Sequence, residues 1–154
     1  MKKMNKKGFT LIELLAIIVI LAIIAVITVP LILGIIDEAR EKAAKSSITG
    51  YGAAVMFSYS RAEIDAETYI LDSCSASDGS CISITNGDVS KNYKVEFSGD
   101  IVNCTSGTIA SGKLTLIGCK IGNPNDPGYA SKPTYTYNNG EATKDGSAQA
   151  SSSS

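Results

Sequence analysis

Few residues in this 154-residue chain are of the types that commonly do chemistry. It contains no histidine and no tryptophan, so the commonest general base and the commonest metal ligand are both missing. Its serines and threonines therefore lack an imidazole to activate them, and its carboxylates are scattered as on a solvated surface. The chain is expected to be no enzyme and to carry no cofactor. Two chemical features remain. Four cysteines, Cys74, Cys81, Cys104 and Cys119, are spread through the later chain, and one carboxylate, Glu13, lies inside the most apolar stretch.

The element that must hold Glu13 is easy to read. Residues 9–36 form a run of 28 with a single charge. A hydrocarbon core about 30 Å thick needs roughly 20 apolar residues as a helix, so this run is long enough to span. Lys2, Lys3, Lys6 and Lys7 precede it, which holds the N-terminus in the cytoplasm and sends the chain beyond Arg40 outside. Removing those four lysines from a net charge of −1 would leave −5. A secretory signal peptide has an apolar region of only about 7–15 residues followed by a small-residue cleavage site, which this run does not match. A plain anchor would have no use for Glu13, because a carboxylate inside a spanning helix costs a few kcal/mol on insertion scales. A new amino terminus at Phe9, four residues away, would supply the opposite charge, more directly between staggered neighbouring helices than within one.

The stretch Lys-Lys-Gly-Phe-Thr-Leu-Ile-Glu, residues 6–13, resembles the type III signal of type IV pilins, pseudopilins and competence pilins. The resemblance covers roughly residues 2–36. It implies cleavage by a prepilin peptidase between Gly8 and Phe9, and methylation of Phe9 as the new terminus. It also implies that Glu13 neutralises a neighbouring subunit's terminus during assembly. Pro30 falls where many members carry a helix-bending proline, with Gly34 close behind. Residues 28–34 are expected to lose regular hydrogen bonding in a filament; Pro30 as a local kink and nothing more is the plainer alternative.

Beyond the apolar run the helix is expected to continue. Residues 37–45 are rich in helix formers, with Glu38/Lys42 and Glu41/Lys45 in the favourable i,i+4 order. Ala44, Ile48, Tyr51, Val55 and Tyr59 then recur at four, three, four and four residues, one apolar stripe ready to pack on a sheet. Gly50 and Gly52 weaken that helix, at about 1 kcal/mol each relative to alanine. Strands are expected at 67–71 (or a loop there), 81–85, around Tyr93, Val95 and Phe97, at 101–105 and at 113–121, with a turn at Asn86-Gly87. The class is α+β and pilin-like: a long N-terminal helix whose C-terminal half packs on an antiparallel sheet of three to five strands. The expected divisions are a leader at 1–8, a transmembrane and filament-core helix at 9–36 and its continuation at 37–60. An exported head at 61–140 and a disordered tail at 141–154 complete them.

On this topology all four cysteines are exported, where disulfides persist. None forms a Cys-x-x-Cys pair, which with no histidine argues against structural zinc. Of three connectivities, the sequence-local one, Cys74–Cys81 and Cys104–Cys119, is preferred over the others and over four reduced thiols. Asp126 and its neighbouring asparagines could suggest a calcium loop, but they match no EF-hand spacing and read as turn chemistry. Tyr129, Tyr135 and Tyr137 are expected to pack a last strand on the sheet edge rather than to make surface contacts.

The resemblance implies a structural subunit, a major or minor pilin of a type IV pilus-like filament. Its implied partners are the prepilin peptidase, further copies of itself, the cytoplasmic membrane before assembly, and an assembly platform and motor. The alternatives are a pseudopilin or competence pilin of a secretion or DNA-uptake system, and a membrane-tethered binding module. The scattered basic residues beyond the leader give no direct nucleic-acid site.

Overall fold

The computed structural model describes residues 8–74 and 78–146. Most of the expected leader (1–7), the short stretch 75–77 and residues 147–154 of the expected tail lie outside the described residues. Helix α1 (Leu11–Ala62) is followed by α2 (Ala66–Tyr69) and by strands β1 (Ile70–Leu71), β2 (Cys81–Asn86), β3 (Val89–Lys94), β4 (Val102–Asn103), β5 (Ser106–Ala110), β6 (Lys113–Ile121), β7 (Tyr135–Asn138) and β8 (Glu141–Lys144). The class is α+β. The chain divides into two compact units, the first ending at Glu41 and the second beginning at Lys42, so α1 contributes to both.

In the first unit α1 is helical throughout, Pro30 included. Pro30 has no N–H to give the carbonyl four residues back, and two residues earlier the Thr28 hydroxyl donates to the Ile24 carbonyl at 2.8 Å. The apolar side chains here are bare. The most apolar window of α1 has none of its residues buried, and α1 is long and apolar enough to cross a membrane. A free helix with that surface has no stable place in water and must be covered by lipid or by other chains.

The second unit has its own core. Ile48, Tyr51 and Val55 of the expected stripe are almost completely buried, with Ala44 and Tyr59 packed at its edges. Ile82 and Ile84 from β2, Ile109 from β5, Leu114 and Leu116 from β6, and Tyr135 and Tyr137 from β7 join them in that core. The two glycines that lower helix propensity are there for clearance. A Cβ on Gly52 would sit 2.5 Å from the Tyr137 ring, and one on Gly50 would sit 3.3 Å from Phe97.

The sheet is larger than expected and is not wholly antiparallel. Its order is β1-β3-β2-β5-β6-β7-β8, with β4 paired to β6, and β2 runs parallel to β5. Strand β5 escapes sequence reading because Gly107 reads as a separator. In the fold, that glycine lets the Leu116 side chain cross it, 2.9 Å from where a Cβ would stand. Residues 67–71 divide between α2, capped by the Asp65 side chain accepting from the Thr68 N–H, and the short β1. Residues 141–144 of the expected disordered tail are instead a strand. Glu141–Lys144 form β8, because Asn139 and Gly140 both adopt positive φ, the requirement of a tight I′ hairpin, and return the chain along β7 with Ala142 buried. The first hairpin turns on Gly87 and Asp88, one residue later than expected, with Asn86 paired to Val89.

Both disulfides are the sequence-local ones, Cys74–Cys81 and Cys104–Cys119. The second depends on a bulge. The register between β6 and β7 shifts between Leu116 and Cys119, and Gly118 there has φ 64. The extra residue lets Leu116 and Cys119, three apart, both point inward, and each is fully buried. Simple alternation along 113–121 would not have placed Cys119 in the core.

Candidate functional site

The candidate site is the start of α1. Gly8, Phe9 and Thr10 lie before the helix in non-helical backbone. Phe9 is 83% exposed, and nothing lies within 4 Å of where a Cβ on Gly8 would be. The Gly8–Phe9 peptide bond is thus accessible and free of helical hydrogen bonding, which is the form of backbone a peptidase can bind in extended geometry.

Glu13 has a partner that sequence reading did not give it. Thr10 occupies the N-cap position and Glu13 the third helical position, the spacing of a capping box. The Glu13 Oε2 accepts from the Thr10 N–H at 2.8 Å and from the Thr10 hydroxyl at 2.7 Å. In return the Glu13 N–H donates to the Thr10 hydroxyl oxygen at 3.3 Å. Two of the orphan N–H groups near a helix start are satisfied this way, and a negative charge in the first turn is favoured by the helix dipole. The Thr-x-x-Glu pattern stands in the sequence at residues 10–13 and could have signalled this box. Glu13 therefore has a local use even in an isolated chain. Its energetic oddity in lipid is reduced, although its charge is still not neutralised.

The other sequence-selected residues lie apart from this turn. Pro30 and Gly34 fall within the uninterrupted helix, and nothing lies within 4 Å of a Cβ on Gly34. The cysteines are all in the second unit. Tyr129, expected at a sheet edge, instead opens a short 3-10 turn, Tyr129–Ser131, with the Lys120 and Lys132 ammonium groups 5.5 and 5.9 Å from its ring centroid. Among the described residues no group of three His, Cys, Asp or Glu side chains is arranged to hold a metal ion. Asp126 instead takes part in a turn, its N–H donating to the Asn123 carbonyl at 3.0 Å.

Comparison with known families adds one finding. Residues 3–29 match the sequence model described as the prokaryotic N-terminal methylation motif. That match spans Gly8, Phe9, Thr10 and Glu13 together with most of the apolar run. No curated protein and no solved structure matches the chain. A methylation motif, a bare apolar helix behind it and a disulfide-bonded α+β unit occur together in one chain, which carries the type IV prepilin signal and is pilin- or pseudopilin-like.

Proposed function

We propose that the chain is a structural subunit, a pilin, of a type IV pilus-like surface filament. It is made as a single-pass membrane precursor with its N-terminus inside and its second unit outside. Prepilin peptidase cuts it between Gly8 and Phe9, and Phe9 becomes the methylated terminus. The assembly platform and its motor then draw it from the membrane into a filament of its own kind. The single observation that carries this reading is the bare apolar helix with one carboxylate in its first turn. Lipid can cover the apolar side chains before assembly, and the helices of other copies can cover them afterwards. The amine of a staggered neighbouring chain would neutralise Glu13 more directly than the chain's own Phe9 terminus, one helical turn away.

The capping box dictates how this must be tested. Glutamine at the third helical position can still complete a capping box but has no charge. The variant Glu13→Gln therefore removes the proposed intersubunit pairing and keeps the local turn. Filament recovered by shearing should fall by at least about tenfold, the effect of losing one charge-assisted contact worth about 1.4 kcal/mol or more per subunit. Membrane insertion should be unchanged or improved, because a charge has been removed from the span. Normal filament yield would overturn the assembly role of Glu13, whereas no sheared filament from the unaltered chain would favour a membrane-tethered module. Mass spectrometry of surface material should find a chain beginning at methylated Phe9. An abundant sheared product supports a major pilin, and a trace one a minor pilin or pseudopilin.

A further inference from the structure

The chain has two Asn-Gly pairs, Asn86-Gly87 and Asn139-Gly140, and the fold holds them differently. An asparagine before a glycine can react with its own backbone. The next main-chain nitrogen reaches the side-chain carbonyl carbon, and glycine has no Cβ to obstruct the approach. The attack needs a free side-chain amide, a backbone N–H not already held, and room around the bond. Asn86 does not offer the first. It is a strand residue, paired to Val89 in β3 and to Ile109 in β5, and its side-chain amide donates to the Tyr59 hydroxyl at 2.9 Å. Asn139 lies outside the strands, in the two-residue loop between Asn138 and Glu141. Its own N–H donates to the Leu114 carbonyl at 2.8 Å. Among the described residues, neither its side-chain amide nor the Gly140 N–H has a hydrogen-bond partner. Both residues are exposed, and nothing lies within 4 Å of where a Cβ on Gly140 would stand. Asn139 also has φ 44, in the left-handed region that is costly for a residue with a side chain.

We propose that Asn139 is a modification site, where the chain deamidates itself and thereby loosens its last strand. The Gly140 nitrogen bonds to the Asn139 Cγ, and its proton departs with Nδ2 as ammonia, closing a five-membered succinimide ring. Water then opens the ring at either carbonyl. One opening gives aspartate; the other gives isoaspartate, in which the main chain runs through Cβ and Cγ. In sum one water enters and one ammonia leaves, with no oxidation or reduction. Isoaspartate adds a backbone atom to a two-residue loop whose I′ geometry fixes positive φ at both positions. The Asn138–Glu141 pair that closes this loop cannot then keep its register. Strand β8 depends on that register. Thr143 is paired to Thr136, and the Asp145 N–H beyond the strand donates to the Thr134 carbonyl at 2.9 Å. The strand lies at the sheet edge with Ala142 as its single buried side chain, so little packing holds it once the turn is changed.

The test incubates the full chain, isotope-labelled and in detergent micelles, in mildly alkaline buffer. NMR follows the side-chain amide signals of Asn86 and Asn139, and peptide fragmentation in the mass spectrometer separates isoaspartate from aspartate. The same chain in concentrated urea, where the fold holds neither pair, is the reference. Asn139 should convert faster than Asn86, by a ratio about tenfold above that in urea, the effect of one hydrogen bond that Asn86 must first break. Tyr59→Phe removes that bond and should speed Asn86 while leaving Asn139 unchanged. In the isoaspartate form, amide exchange at Thr143 and Asp145 should be at least about tenfold faster. Asn139→Asp adds the charge without lengthening the backbone and should leave that exchange unchanged. The proposal is overturned by equal ratios in micelles and urea, or by an Asn86 rate that Tyr59→Phe does not alter. It is equally overturned by an isoaspartate chain whose Thr143 and Asp145 amides exchange as before.

Discussion

Helix α1 passes through two environments, and the difference between them is instructive. Along residues 11–41 no side chain is buried, although this is the most apolar sequence in the chain. Along the later turns Ile48, Tyr51, Gly52, Val55, Ser58 and Ala62 are buried, although serine, glycine and alanine are among them. Hydrophobicity alone therefore does not say which part of a helix belongs to a core; the presence of a complementary surface does. The earlier part is uniform around its circumference, as suits lipid or a ring of neighbours. The later part is differentiated, with small residues where aromatic rings approach and aliphatic ones between them. The first has stability mainly from its own backbone bonds and whatever covers it, and the second from packing and cross-links.

Four changes would break or sharpen that contrast. Replacing Cys104 and Cys119 by serine removes a cross-link over a 15-residue separation and should lower head stability by about 3 kcal/mol on the loop-entropy account. Chemical denaturation checks this, and helicity of residues 11–41 in micelles should not change. Gly52→Ala forces a methyl against the Tyr137 ring and should destabilise the head by about 1–3 kcal/mol as an overpacking change; a thermal melt reads it. Thr10→Ala removes the cap from the helix start and should cost about 1 kcal/mol locally. It should be visible as faster amide exchange at Glu13 and Leu14, whose N–H groups bond to Thr10, with no shift in the head's melting temperature. Gly34→Ala makes the same chemical change as at Gly52 but in open space, so it should strengthen the helix by up to about 1 kcal/mol. Slower amide exchange around residue 34 would show it. The two glycine variants giving the same sign would mean that the contrast between bare and packed turns is wrong.

The apolar run and the helical stripe were legible from sequence because both are periodic or continuous over many residues. The first hairpin turn was legible in Asn86-Gly87, though it lies one residue later than the dipeptide suggested. What could not be read depends on partners distant in sequence. Gly107 is a strand residue only because Leu116 crosses it, and β5 lies parallel to β2 through a connection that no local pattern marks. β1 and β4 have two residues each, too few for any alternation. Tyr135 and Tyr137 were expected on a last strand, yet the following β8 was missed because Ala142 is its single buried side chain. At the candidate site, Gly8, Phe9 and Glu13 were visible as a pattern. The bond from Glu13 to Thr10 was also spelled out locally, in the Thr-x-x-Glu spacing of residues 10–13.

That bond changes what assembly can gain. On the proposed reading, Glu13 meets a neighbour's amine already holding two hydrogens from Thr10. Pairing is then an exchange of partners, and the driving force contributed by this residue is a difference between two satisfied arrangements. A subunit waiting in lipid is thereby shielded from premature pairing, and one leaving a filament has a ready place to return its carboxylate. On that reading the contact selects the partner and its position more than it holds the subunits together, with the apolar side chains around it supplying the cohesion.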